Sequence, residues 1–321
     1  AMSRDSQTVA GFRWLLFGSV SAFVAAIIAI AVLLLVQQYR QVEQRIATTT
    51  QNLSRSVTQT FDGLIDTIDV ALASSVADIE HRLANNEVDA ASINAGLMDR
   101  QRVVSLISVM RATNEKGDIV FGPDTPVPYV NIADRESFRQ LQAGTTRGLF
   151  IDKPIIGRIN HKWVWTLARR IERPDGSFAG LVYALVEIDK IREVLATIRV
   201  ERGSSISLRD SERSLVARYP ESGDTFFPIG EKYSSEPFLQ ALARNPESGT
   251  YQSGPTSVDG VDRVYSYYRS PKHGFIVNVG MDIETAFAEW RHQAWMTGIV
   301  VLIFSLALLG FSAAIARARQ R

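Results

Sequence analysis

The sequence contains no cysteine. That excludes disulfide staples, cysteine-ligated zinc and thiol catalysis, and it suits a compartment where a spare thiol is a liability. Histidine is scarce as well. His81, His161, His273 and His292 are scattered, without the spacing of a metal-ligand pair. There is no Gly-x-Ser-x-Gly elbow, and Gly230-Glu231-Lys232 lacks the upstream glycine of a phosphate-cradling loop. An excess of one charge is also missing. Lys plus Arg number 35 against 34 Asp plus Glu, a net charge of +1, which argues against a nucleic-acid partner. We therefore expect no catalysis, no metal and no cofactor in these residues.

What is present divides sharply. The chain has 321 residues, 46% of them hydrophobic, enough for two or three domains with cores of their own. Two runs near the ends carry no charge: Trp14 to Val36 and Trp295 to Ala316. Each exceeds the ~20 residues that cross a bilayer. The first is too long for a signal-peptide core and runs into a polar helix without a clear cleavage site. Arg4 and Arg13 precede the first run, and Arg317, Arg319 and Arg321 follow the second. The positive-inside rule then puts both termini in the cytoplasm and the middle outside, with Arg40 and Arg45 blurring the contrast at the first span. Ala1 ahead of Met2 reads as an addition to a natural start.

From Gln37 to about Ala84 there is no proline and only Gly63. Apolar residues recur in steps of three, four and seven from Ile46 through Phe61 to Leu83, the pattern of one long helix. Beyond about Phe61 the stripe fits packing on the chain's own domain or a helix partner. Nearer the membrane we expect a dimer contact. Asp89 can cap a short helix. A strand is expected from Val103, a turn at Asn114-Glu115-Lys116-Gly117 and a partner strand at Asp118 to Gly122. Asp134 stands at an N-cap position, with a helix from Arg135 to about Ala143 ended by Gly144. The strand at Trp163 alternates Trp163, Trp165, Leu167 and Arg169 on one face with Val164, Thr166, Ala168 and Arg170 on the other. Pro174-Asp175-Gly176 turns into the strand Phe178 to Ile188. After a helix from Asp189 to Thr197 the layout repeats, with a loop at 226–234, a helix capped by Ser235, and long strands around Tyr265 and Val277. A last helix from Asp282 is expected to run without a break into the second span.

These residues resemble a known family. Ala133-Asp134-Arg135-Glu136-Ser137-Phe138, Ala168-Arg169-Arg170-Ile171 with Asp175-Gly176-Ser177-Phe178-Ala179-Gly180, and Ser257 to Tyr267 are similar to motifs of the double Cache (tandem PAS-like) sensor domains of bacterial transmembrane receptors, including diguanylate cyclases and sensor histidine kinases. The resemblance covers roughly Gln37 to Arg291. It implies an α+β fold with two transmembrane helices flanking a long N-terminal helix and two PAS-like antiparallel-sheet modules. The expected divisions are 1–12 cytoplasmic, 13–36 first span, 37–88 stalk and dimerisation helix, 89–197 membrane-distal module, 198–291 membrane-proximal module, 294–316 second span and 317–321 a cytoplasmic stub. It also implies a homodimer in the bacterial inner membrane, a periplasmic small-molecule site in the distal module, and an output domain beyond Arg321. Ligand binding would favour one packing of sheet on helix and relay a helix shift across the membrane.

The candidate ligand-binding residues are Tyr129, Arg135, Trp163, Trp165, Arg169 and Tyr183. The aromatics would wall a pocket, and an arginine fork would grip a carboxylate or phosphate. Each has a structural alternative: Trp165 as core, Arg169 in an ion pair with Glu187, Arg135 as a helix start. Arg263, Tyr265, Tyr267 and Arg269 line one face of the second module and read as sheet packing. Where amino-acid-binding members place an aspartate for the ligand's amine, this chain has about Leu185, with Glu187 and Asp189 the nearest acids. A small anion is therefore the expected ligand. The rival reading is a scaffold or co-receptor that senses a protein partner, which requires a filled distal pocket.

Overall fold

In the computed structural model, residues 2–220, 228–232, 234–254 and 259–318 are described, with side chains from position 14 onward except at 16. Parts of the expected 226–234 loop, Ser257, Val258, Arg319 and Arg321 lie outside the described residues. The chain forms two compact units, Ala1–Thr48 with Ile283–Arg321, and Thr49–Asp282.

The first unit is helical. It holds the start of α1 (Met2–Ala84), α6 (Ile283–Ala286) and α7 (Ala288–Ala318). Both α1 and α7 are long and apolar enough to cross a membrane, and they expose large side chains such as Phe23, Leu33, Ile303 and Phe311. The Trp290 indole N–H donates to the Leu35 carbonyl at 3.1 Å. The Tyr39 ring lies 4.8 Å from Phe287, tilted against it, and 5.3 Å from Trp290, edge-on to the latter. Amphipathic aromatics of this kind are enriched where apolar spans meet water. The helix expected from Asp282 is broken at Phe287, between α6 and α7. Its hydrogen bonds nevertheless continue, Phe287 N–H to Ile283 at 3.0 Å and Arg291 N–H to Phe287 at 2.9 Å.

The second unit carries two antiparallel sheets on the rest of α1. The first sheet is built from β1 (Val109–Thr113), β2 (Ile119–Phe121), β3 (Phe150–Ile151), β4 (Ile155–Ile156), β5 (Trp163–Glu172) and β6 (Phe178–Glu187). Its order is β2-β1-β6-β5-β3, with β4 also on β5. The second has β7 (Ser205–Arg209), β8 (Leu215–Tyr219), β9 (Ser248–Gln252), β10 (Arg263–Arg269) and β11 (Ile276–Asp282), in the order β8-β7-β11-β10-β9. The two orders are the same plan twice. Helices α2 (Ala90–Val103), α3 (Glu136–Ala143), α4 (Ile188–Ala196) and α5 (Glu236–Arg244) cover them.

One core runs along α1. Phe61, Ile65, Ile68 and Leu72 are at most 1% exposed and pack with Trp165, Leu167 and Val182 of the first module and Ile206 and Val277 of the second. Full burial of such side chains contributes roughly 1.5–3 kcal/mol each. The stripe expected to reach a dimer partner is thus covered by its own sheets as far down as Thr50. There the seam turns polar, with Thr50 Oγ1 2.7 Å from Ser266 Oγ and Thr58 buried beside it. Ionic contacts add register: Lys272 reaches Asp66 at 2.6 Å, and the Ser270 hydroxyl donates to Asp62 at 2.6 Å.

Two local expectations change. The strand expected from Val103 begins at Val109, because α2 runs to Val103. Asp89 caps α2 through the Ser92 N–H at 2.9 Å, and Ile93 and Leu97, four residues apart, bury one face. Gln101 then holds the turn, donating to Ser108 O at 2.9 Å and accepting from Met110 N–H at 3.1 Å. At α3 the N-cap position is Arg135, which makes no side-chain cap. The orphan N–H of Ser137 is satisfied from outside by Asp152, at 3.1 Å. Asp134 is engaged with Arg158 instead, at 2.5 Å.

Candidate functional site

The cavity of interest lies on the face of the first sheet turned away from α1. Strand β5 decides which side chains reach it. Its alternation is as the sequence reads, with Trp165, Leu167 and Ile171 on the α1 side and Val164 and Ala168 in the core beneath α3. Across the strands, Arg111 of β1 faces Tyr183 of β6, which faces Ala168 of β5. The next row is Val109, Leu185 and Thr166. Above these rows the loop at Gly157 to Ile159 and the start of α3 close a cavity of about 40 Å³.

Its polar lining is one-signed. Arg111, Arg135 and Arg158 line it, with Ser137, Thr166 and Tyr183, and no Asp or Glu does so among the described residues. Arg111 is 3% exposed. Its Nε donates to the Pro123 carbonyl at 3.1 Å, and the guanidinium lies beside the Tyr183 hydroxyl. Among the described residues no carboxylate pairs with it. A buried cation with only neutral partners is costly, which is the condition an entering anion relieves. Arg158 is neutralised by Asp134, and Arg135 Nη2 donates to the Ile156 carbonyl at 3.0 Å. The Thr166 hydroxyl is buried and has no hydrogen-bond partner among the described residues. Burial pushes the Tyr183 phenol up to about 12, against a smaller opposing pull from Arg111. Tyr183 is thus a neutral donor at any ordinary pH.

Of the expected site residues, Arg135 and Tyr183 line the cavity. The other four stand elsewhere. Trp165 lies on the opposite face of the sheet, edge-on to Phe275 at 6.4 Å. Arg169 on that same face grips Asp69 of α1 with both arms of its fork, at 2.5 and 2.8 Å. The carboxylate suggested for Arg169, Glu187, pairs with Lys162 at 2.8 Å. Trp163 is 37% exposed at the strand's start, its ring within 3.3 Å of where a Cβ on Gly230 would sit. Tyr129 is 52% exposed and lines a separate cleft. Sequence reasoning passed over Arg111, Arg158 and Thr166. The signal for Arg111 was a lone cation at an inward position of an apolar strand, Val109-Met110-Arg111-Ala112. Leu185, read as the place of an amine-binding acid, does line the cavity.

The face of Arg263, Tyr265, Tyr267 and Arg269 in the second module is filled by its own contacts. Arg263 pairs with Asp259 at 2.7 Å. The Tyr267 hydroxyl donates to Asn245 O at 2.5 Å, and Arg269 Nη1 donates to Gly274 O at 2.9 Å. The Tyr265 ring lies over Gly280, where a Cβ would meet it at 2.3 Å.

No model of a known protein family matches the chain, and no curated protein does. Solved structures do. The extracellular domain of rpHK1S-Z16, assigned as a histidine kinase, shares 26% identity over 76% of this chain and 97% of its own, with a TM-score of 0.66. The ligand-binding domain of Campylobacter jejuni chemoreceptor Tlp3, solved with 4-methylisoleucine, matches at 11% identity over 76% of this chain and 94% of that one, TM-score 0.57. The ligand-binding domain of Mlp24, solved with asparagine, matches at 14% identity over 78% and 98%, TM-score 0.57. With its long helix, its twice-repeated sheet order and these neighbours, the chain has the double Cache fold of extracytoplasmic sensor domains.

Proposed function

We propose that this chain is the sensor region of a bacterial transmembrane receptor and that its first module binds a small carboxylate. The observation that carries the reading is Arg111, buried in the cavity with neutral partners only. A carboxylate would take the guanidinium fork and accept from Tyr183 and Thr166, leaving its apolar part against Ile132 and Leu185. A volume near 40 Å³ corresponds to about three waters, which suits the smallest carboxylates, with acetate the best match in size. Tlp3 and Mlp24 were solved with amino acids. Here the cavity offers no acid to an ammonium group among the described residues, so a simple carboxylate is favoured over an amino acid. The rival scaffold reading calls for a filled first module, and the cavity weighs against it.

The finer assignments belong to the same proposal. The apolar stretches of α1 and α7 anchor the chain in the inner membrane, with the sensor region in the periplasm and both termini in the cytoplasm. The sensor acts on a cytoplasmic output such as a diguanylate cyclase or a histidine kinase. A homodimer through α1 uses faces other than the stripe, which its own sheets cover. Ligand shifts the packing of the first sheet on α1 only by its differential affinity for two states. The change leaves through β11, whose last residue Asp282 is followed directly by α6 and α7. A thermal-shift screen of the detergent-solubilised chain against acetate, propionate, pyruvate and lactate tests the reading. At least one should raise the unfolding temperature of the parent and leave Arg111→Met unmoved. Stabilisation by amino acids that persists in Arg111→Met would reject it.

A further inference from the structure

A second and larger cavity opens on the α1 side of the same sheet, where α1 turns into α2. Its volume is about 340 Å³, within the range of small-molecule sites, and its residues contribute nothing to the anion site. Ile79, Leu83, Val88, Ile93, Phe121 and Ile171 make an apolar wall. The polar groups stand at one end, with Glu115, Arg173 and Tyr129. Arg173 is already engaged: Nη1 donates to Phe178 O at 2.7 Å, and Nη2 to Glu115 Oε2 at 3.2 Å. The other oxygen of Glu115 has no hydrogen bond among the described residues, and its side chain is 47% exposed. The end of the cavity therefore presents an acceptor. Arg173 already pairs with Glu115, so this end carries no surplus negative charge to offset the desolvation of an ammonium ion against the apolar wall, and a neutral N–H or O–H suits the acceptor better.

We propose that this cavity is a second ligand site, for a neutral apolar molecule bearing one hydrogen-bond donor, of the size and chemistry of indole or a phenol. The donor meets Glu115, the ring fills the space between Ile79, Ile93 and Ile171, and Tyr129 covers the mouth. Because α1 and the sheet form two walls of the cavity, an occupant bears on the same helix–sheet packing that the anion site would bias from the opposite face. The two sites are then coupled reciprocally.

The absence of cysteine makes the test clean. Ala179 lines the cavity and is 8% exposed. In the full chain carrying Ala179→Cys, modification by methyl methanethiosulfonate should slow with indole and saturate, about tenfold at ten times Kd. Ile171→Cys provides a second position should the first fold poorly. Gln59→Cys, exposed on α1, should react at an unchanged rate, as should Ala179→Cys with phenethylammonium in place of indole. Adding Arg111→Met should leave the protection by indole intact. Equal slowing at Gln59→Cys, no slowing at either cavity position, or stronger protection by phenethylammonium would overturn the proposal.

Discussion

Arg111 and Tyr183 face each other across β1 and β6 and set the chemistry of the first module. A buried guanidinium without a carboxylate is tolerated only at a cost, and exchanging buried charge for an apolar group of similar volume is often neutral or stabilising by about 1–4 kcal/mol. Arg111→Met should therefore lose anion binding while the ligand-free protein melts no lower than the parent. A loss of more than about 2 kcal/mol in chemical denaturation would make Arg111 a structural residue instead. Tyr183 gives a pH prediction. Its phenol is raised from 10.0 to about 12 in the folded protein. The stabilisation this represents is fully present below the unfolded value and is lost as pH rises from about 10 through about 12. Absorbance titration at 295 nm should show one fewer phenolate in Tyr183→Phe only at the top of that window. A Tyr183 that ionises near 10 without unfolding would contradict its burial.

At the scale of elements, β5 shows what the sequence could and could not carry. The period of two from Trp163 to Arg170 was legible, and so were the turn at Asp175-Gly176 and the cap at Asp89. The sheet has buried neighbours on both sides, α1 on one and α3 on the other, so both faces of β5 look like core. Aromatic size favoured the Trp165 face, and that face belongs to the helix. What separates them is Asp69 on α1, a hundred residues away, which claims Arg169. No local pattern announces such a pairing. The cavity is likewise assembled from β1, α3, the loop around Arg158, β5 and β6, so only a part of it fell within any one stretch of sequence. The Arg169 pair gives its own test. Each side chain is about a quarter exposed, so Arg169→Ala should cost about 1–2 kcal/mol of stability, discounted for solvent screening. Carboxylate affinity should stay within about twofold, because the pair stands on the far face. Loss of binding at unchanged stability would place Arg169 at the site after all.

For the whole molecule, the same sheet order used twice along one helix gives a continuous core from Val57 to Ile79, shared by both modules. A change of packing in the first module is thus felt by residues that also touch the second, such as Trp165 and Phe275. In the proposed relay the exit is the chain continuity from β11 into α6 and α7. With a cytoplasmic output joined behind Arg321, inserting one residue after Asp282 should abolish ligand-dependent output and leave carboxylate affinity unchanged. Output that still follows the ligand would argue against a helix relay. The central claim, that Arg111 makes the first module an anion sensor, is tested most directly by calorimetric titration of the full chain with acetate, propionate and pyruvate beside amino acids. The account predicts saturable, one-site binding of at least one simple carboxylate to the parent and none to Arg111→Met. Amino-acid binding of equal strength in both proteins, with no simple carboxylate bound, would contradict it.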